Sequence, residues 1–422
     1  AGMVARLDGD IVSWMADPDK QRFEVMKLEP IESRPGRCIT VDSPDSTYLC
    51  ADLVPTHNTM LLLWLAHQWN IIGHPQFILD PKKNSDHSGA VQAFGGRTAS
   101  FSDLEGADGP LDPIRFMKDP RQGVQLAADM LMSIAPWPDE PKAHETDIGR
   151  ALSHGVAKGA RATGEALQIA LRDGVVSEQT VAPVFDFANT YTMFRTTFGM
   201  GRSENPFDLG EGLTLFRVGE TEFEMPDPAD STPPHERRAI VRASSNAMRM
   251  MIRAATTALA GRSGIIHLDE AWVVELLAKG ETNQLGRLAR QMDVFPILYN
   301  QTPSTAVEAK VENYISSGFL GYLKSEAEAT AGLKLLGMEG NDLVRRRVLT
   351  PRGDGSGGTN WGSLQHLYAP GGGRKVIRGS VFYHADSLGR IGATEIVLPK
   401  QFLDLASTNP DDIRNRTSSS PQ

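Results

Sequence analysis

The sequence predicts an α/β protein. It should have a mainly parallel sheet, a small all-β segment in front of it and an all-α insertion within it. Three observations carry this. Continuous apolar strands at 77–79, 213–218, 264–268 and 294–299 alternate with helical stretches, the pattern of a parallel sheet covered on both faces. The stretch between Asp112 and Asn205 is Ala-rich and mostly of helical pattern. Residues 1–58 break instead into short strands divided by turn signals.

Taken in order, the first segment predicts strands at 6–14, 22–30, 37–41 and 48–54. Asp8-Gly9-Asp10, Asp17-Pro18-Asp19 and Arg34-Pro35-Gly36 act as turns between them. Residues 59–69 form a helix that is apolar nearly all round and should therefore be buried. The strand Phe77-Ile78-Leu79 ends in Asp80-Pro81-Lys82-Lys83. Helices are expected at 123–133, 147–163 and 164–172, inside the insertion 112–205. The strand at 294–299 ends in Asn300-Gln301-Thr302, and 376–384 and 390–397 read as a hairpin around Ser387-Leu388-Gly389. A domain over 59–406 is expected to give way to a polar, disordered tail at 407–422.

Composition narrows the class. A net charge of -9, from 43 Lys+Arg against 52 Asp+Glu, excludes a basic nucleic-acid coat protein, though not a local basic patch. Two cysteines, Cys38 and Cys50, can build neither a disulfide framework nor a four-thiolate zinc site, and they suit a reducing cytoplasm. No signal peptide is visible. The most apolar run, 60–72, is interrupted by His67, Gln68 and Asn70 and is too short to span a bilayer.

Two constellations carry chemistry. The first is Cys38-Ile39-Thr40-Val41-Asp42-Ser43-Pro44-Asp45, then Tyr48-Leu49, then Val54-Pro55-Thr56-His57-Asn58-Thr59. Asn58 can turn its side-chain amide nitrogen onto its own carbonyl, forming a succinimide and breaking the bond to Thr59. An amide is a poor leaving group, so a general acid is needed, and the imidazole of His57 is adjacent. The Thr59 hydroxyl can carry an upstream chain as an ester. Alone, His-Asn-Thr is an ordinary turn. With the preceding block at its spacing, residues 1–58 resemble the C-terminal end of an intein. That resemblance places Cys38 where the family carries an assisting Asp or Cys. The family's N-terminal half, with its nucleophile and Thr-x-x-His block, is absent, and Ser46 stands where relatives often have histidine. The implied alternatives are cleavage after Asn58, splicing in trans with a separate half, or a truncated reading frame.

The second constellation begins at Thr59-Met60-Leu61-Leu62-Leu63-Trp64, which looks like the end of a Gly-rich phosphate loop whose Gly-Lys is not in front of it. Thr59 would then bind Mg²⁺ as well as serve splicing; the plainer role is a helix cap. Ile265-Ile266-His267-Leu268-Asp269-Glu270-Ala271-Trp272 is an apolar strand ending in two carboxylates. Asp269 suits the metal side of a bound ATP–Mg²⁺. Glu270 suits the base that takes a proton from water, and Gln301 a contact to the γ-phosphate or its water. A stabilising arginine is sought among Arg287, Arg290, Arg345–Arg347 and Arg390, with Arg390 preferred. Each of them is individually better read as solvated charge.

The set Phe77 to Lys82, Leu111-Asp112-Pro113, Leu268-Asp269-Glu270-Ala271-Trp272 and the 386–392 hairpin resembles the conjugative-transfer and type IV secretion ATPases of the FtsK–HerA group. The resemblance implies a RecA-like P-loop fold with a helical insertion, which the 210-residue spacing from Thr59 to Asp269 requires. It further implies a homo-hexamer, secretion-channel partners, DNA as a candidate partner, and a place in the cytoplasm at the inner face of the cell membrane. Lys82-Lys83, Arg237-Arg238 and Arg345–Arg347 are candidate channel or interface charges, and they read equally well as solvated helix ends. An intein-interrupted replicative helicase or phage terminase is the alternative host. A long helical insertion between the second strand and the acidic strand separates the two. A third reading is that the chain, lacking the lysine, hydrolyses no ATP unless joined to an N-terminal intein and ATPase half.

Overall fold

In the computed structural model the described residues are 4–8, 11–15, 23–24, 58–81, 87–104, 107–137, 140–201, 211–218, 223–224, 232–300, 302–321, 323, 325–349, 366–368, 375–377, 381–386, 388, 390–395, 402 and 406. The first three strands, β1 (Val4–Asp8), β2 (Ile11–Met15) and β3 (Phe23–Glu24), form one antiparallel sheet in the order β1-β2-β3. The single strand expected at 6–14 is thus a hairpin, with Asp8 opposite Ile11. Gly9-Asp10, already a turn signal, separates its two arms. The strands expected at 37–41 and 48–54 lie outside the described residues, as does the tail at 407–422.

The main sheet contains β4 (Gln76–Asp80), β5 (Arg97–Ser100), β6 (Leu213–Arg217), β7 (Gly264–Leu268) and β8 (Val294–Leu298). Its order is β5-β6-β4-β7-β8 and every pairing is parallel. The central strands β4 and β7 are buried at all five positions, around the apolar cores Phe77-Ile78-Leu79 and Ile265-Ile266. β5 was not foreseen. Its sequence Arg-Thr-Ala-Ser is short and half-exposed at the sheet edge, where burial does not demand apolar residues.

Helix α1 (Asn58–Ile72) covers one face of this sheet, together with α2 (His87–Ala93). Leu62, Leu63 and Ala66 pack with Ile78, Ala90, Val91, Leu213 and Leu215. The helix runs past the expected 59–69, and its last turn leaves Ile71 and Ile72 exposed. Phe402 and Ala406 return to this face, with the Phe402 ring 4.8 Å from Trp64 and 5.7 Å from Phe94.

The expected insertion is helical among its described residues. After the one-turn α3 (Phe101–Leu104) come α4 (Pro113–Phe116), α5 (Pro120–Ile134), α6 (Glu145–Ala157), α7 (Thr163–Arg172), α8 (Glu178–Thr190) and α9 (Thr192–Arg195). The stretch read as one helix over 147–163 ends at Ala157, because Gly159 takes φ +93 and turns the chain. α6 and α7 then meet so closely that a Cβ on Gly155 would lie 2.4 Å from the Ala166 backbone. Asp112 ties the insertion together. Its buried carboxylate caps α4 at Ile114 N, accepts from both Thr163 N and Oγ1, and accepts from Gly199 N at 2.8 Å. Burial, opposed by these four donors, lifts its carboxyl to about 6.

α10 (Ala239–Leu259) covers the opposite face, followed by α11 (Ala271–Leu277) and α12 (Glu281–Met292). Beyond β8 come α13 (Pro303–Glu308), β9 (Gly318–Leu320), α14 (Glu326–Leu335) and α15 (Asp342–Leu349). β10 (His366–Tyr368) and β11 (Lys375–Ile377) form a separate pair. β12 (Val381–Ala385) and β13 (Ile391–Glu395) form the closing hairpin. The first arm was expected to begin at 376, but Val376 pairs with Leu367 in the other ladder. β9 adds to the hairpin through Tyr383 opposite Leu320. No described helix is long and apolar enough to cross a membrane.

Candidate functional site

Alternation along the strands decides where polar groups gather. On β4, Phe77 and Leu79 face α10 and the insertion, so Ile78 and Asp80 face α1. On β7, Ile266 and Leu268 face α10, whereas His267 lies 5.8 Å from the Trp69 ring of α1. Asp269, two residues past His267, falls on the same side. Asp80 and Asp269 therefore meet at the C-terminal ends of two neighbouring parallel strands, where the Asp269 amide donates to Leu79 O at 3.0 Å. The helices after these strands lie on opposite faces, α2 with α1 and α11 with α10. That change of side opens the sheet edge where α/β proteins bind ligands.

Both carboxylates are fully buried, and so is His87, the first residue of α2, whose Nδ1 lies 2.7 Å from Asp80 Oδ2. One ligand atom from each of Asp80, His87 and Asp269 lies within 4.8 Å of the other two. Two oxygen donors and one nitrogen donor from three elements fit a divalent cation.

Glu270 follows in the left-handed region, at φ 45 and ψ 53. A non-glycine residue held there costs on the order of 1 kcal/mol. The position is enforced from both sides. Tyr299 N donates to Leu268 O and Ala271 N donates to Tyr299 O, so β8 grips the turn on either side of Asp269-Glu270. The Glu270 carboxylate is nearly buried, and its Oε2 accepts from Trp272 Nε1 at 2.8 Å.

Behind this turn a chain of buried polar groups crosses the sheet. Gln76 Nε2 donates to Ala66 O of α1, which leaves Gln76 Oε1 facing His267 Nε2 at 3.0 Å. The network thus assigns the proton to Nε2, and Nδ1 accepts from Tyr299 Oη–H at 3.0 Å. Burial depresses His267 to about 3, so the ring is neutral. Burial, with the nearby Asp269 charge, raises Tyr299 well above its ordinary value.

The Ala66–Gln76 bond also sets the level of α1 against the sheet. From Ala66 back to Thr59 the helix climbs about 10 Å, and from Gln76 to Asp80 the strand climbs about 13 Å. Gly73, His74 and Pro75 reverse the chain between them, so the backbone of Asn58 and Thr59 opens α1 at the Asp80–Asp269 end. Cys38, His57 and Gln301 lie outside the described residues, as do Lys82 and Lys83.

The arginines fall elsewhere. Arg390 is exposed in the hairpin turn, where Asp386 takes its Nε at 2.6 Å. Arg287 and Arg290 are exposed on α12. Arg345 pairs with Glu326, Arg238 with Glu224, and Arg237 donates to Thr232 O. Sequence reasoning saw the strand end at Asp80 but gave it no role, and it missed His87 and the His267–Tyr299 pair. Their convergence depends on strand order, which no local pattern encodes; the Asp-Pro after an apolar strand was the one available signal.

A parallel sheet with paired acidic strand ends at a change of side, and a helix opening over them, defines an α/β domain whose ligand site would lie at those strand ends. Residues 58–355 match the AAA-like domain family, and the chain belongs to it. Among solved structures, VirB4 of Thermoanaerobacter pseudethanolicus is similar with a TM-score of 0.53 at 12% identity. That match covers 83% of this chain and 88% of the other, and at that identity the likeness is one of fold. The bacterial conjugative coupling protein TrwB, in a truncated unbound form, matches at 13% identity over 80% and 88% of the two chains, with a TM-score of 0.34. No curated protein matches the chain.

Proposed function

We propose that residues 59–406 are the catalytic part of an ATP-hydrolysing motor of conjugative transfer or type IV secretion. The observation that carries this is Asp269-Glu270, held at the C-terminal end of β7 beside Asp80 and beneath the opening of α1. In this reading Asp269 and the Thr59 hydroxyl hold Mg²⁺, which when bound neutralises phosphate charge. Glu270 accepts a proton from the attacking water, its carboxylate aimed by Trp272. Gln301, next to Asn300 at the end of β8, contacts the γ-phosphate or that water, and Arg390 reaches a neighbouring subunit of a homo-hexamer. The VirB4 likeness and the helices between β5 and β6 favour this host over a replicative helicase or terminase. Secretion-channel proteins and DNA are the partners this reading implies.

The residues just before Thr59 are His57-Asn58 rather than Gly-Lys. Accordingly, the chain alone is expected to show no appreciable ATPase activity. A chain with a Gly-rich Gly-Lys segment joined directly to Thr59 should be active, and Glu270→Gln should abolish that activity. A robust rate from the joined chain that survives Glu270→Gln would remove Glu270 from its role.

The stretch 1–58 is proposed as an intein C-terminal segment. The family match that begins at residue 58 supports a functional seam there. Asn58 cyclises with His57 as acid, Cys38 assists and Thr59 serves as acceptor. Incubated near neutral pH, the chain should split after Asn58, and Asn58→Ala should stop it. Equal cleavage of both forms by mass spectrometry would rule out succinimide formation.

A further inference from the structure

We propose that Asp80, His87 and Asp269 form a binding site for a divalent transition ion of the Mn²⁺ or Zn²⁺ type, filled without nucleotide. The inference shares Asp269 with the reading above but does not depend on hydrolysis.

The argument starts from the donor set. Mg²⁺ is held by oxygen and keeps much of its water, so a buried imidazole adds nothing for it. Mn²⁺, Co²⁺ and Zn²⁺ take imidazole and carboxylate together. Here the imidazole is fully buried and faces two fully buried carboxylates, all three within 4.8 Å. Ions of this kind bind nitrogen and oxygen at about 2.0–2.2 Å, which sets neighbouring ligand atoms about 3 Å apart. The 2.7 Å between His87 Nδ1 and Asp80 Oδ2 needs to open by only a few tenths of an ångström.

The frame is rigid. Asp80 ends a strand buried at every position and is flanked by the bonds Asp269 N to Leu79 O and Val218 N to Asp80 O. His87 opens a helix anchored by Ala90 and Val91 in the core. The ligands therefore come from three elements already locked by packing, which lowers the ordering cost of binding.

The test is Mn²⁺ titration of the full, nucleotide-free chain, followed by the loss of the free-ion electron paramagnetic resonance signal. One ion per chain is expected. His87→Ala and Asp80→Asn should each weaken binding by about tenfold or more, whereas Asp147→Asn, on an exposed carboxylate of α6, should change nothing. Because a buried variant can fail to fold, pulsed resonance on the unmodified chain is the second measurement. Coupling of the bound Mn²⁺ to a ¹⁴N nucleus of the imidazole type supports the site. Oxygen-only coordination, or affinity unchanged in a folded His87→Ala chain, overturns it and leaves Asp80–His87 an ion pair. Mn²⁺ binding without ATPase activity in the Gly-Lys-joined chain would refute the motor reading alone.

Discussion

Acid should unfold this protein partly through one histidine. His267 is completely buried between α1 and the sheet, neutral, with Nε2–H given to Gln76 and Nδ1 receiving the Tyr299 hydroxyl. Its folded value is about 3 against 6.5 for a free ring. Above pH 6.5 neither the folded nor the unfolded chain is protonated there, and the contribution is flat. Below 6.5 the unfolded chain binds a proton that the folded chain refuses, so stability falls until pH reaches about 3. The slope for one proton is about 1.4 kcal/mol per pH unit, and across this window the loss sums to on the order of 5 kcal/mol. That is comparable to the whole stability of many domains. Urea unfolding at a series of pH values from 7.5 to 4 measures it. His267→Gln cannot titrate, so its curve should be shallower than that of the parent by about one proton, whatever its stability at neutral pH. Identical slopes, or an imidazole resonance of His267 titrating near 6.5, would refute the argument.

Two further outcomes follow from the insertion. Asp112→Ala strands the buried backbone N–H groups of Thr163 and Gly199, at about 1–3 kcal/mol each, and uncaps the half-buried N–H of Ile114. Urea unfolding should then show the insertion lost or severely weakened, and a change below about 1 kcal/mol would contradict the clamp. Gly155→Ala sets a methyl 2.4 Å from the Ala166 backbone, so α6 and α7 must part at a cost of about 1–3 kcal/mol. A melting temperature equal to that of the parent would show that the two helices are not so close.

The sequence carried the type of most elements because hydrophobic periodicity is local. The all-buried strands β4 and β7 read as strands from the short apolar runs Phe77-Ile78-Leu79 and Ile265-Ile266, and the helical insertion read as Ala-rich helix. Where local signals were weak the reading slipped. β5 hides at an edge as Arg-Thr-Ala-Ser. Gly159 divides a helix that its neighbours would have continued, and Val376 left the expected hairpin for a different ladder. Asp269-Glu270 was legible because two carboxylates after an apolar strand form a compact signal.

What the sequence determined by itself was the class of fold and the acidic strand end, since both depend on residues adjacent along the chain. The tertiary structure alone decided that Asp80 sits beside Asp269, that His87 reaches both, and that His267 and Tyr299 brace the turn from behind. Those contacts follow from the order β5-β6-β4-β7-β8, which sets residues 189 positions apart side by side. Strand order is chosen by how whole faces bury against α1 and α10, an energy summed over the core and therefore invisible in any short stretch of chain.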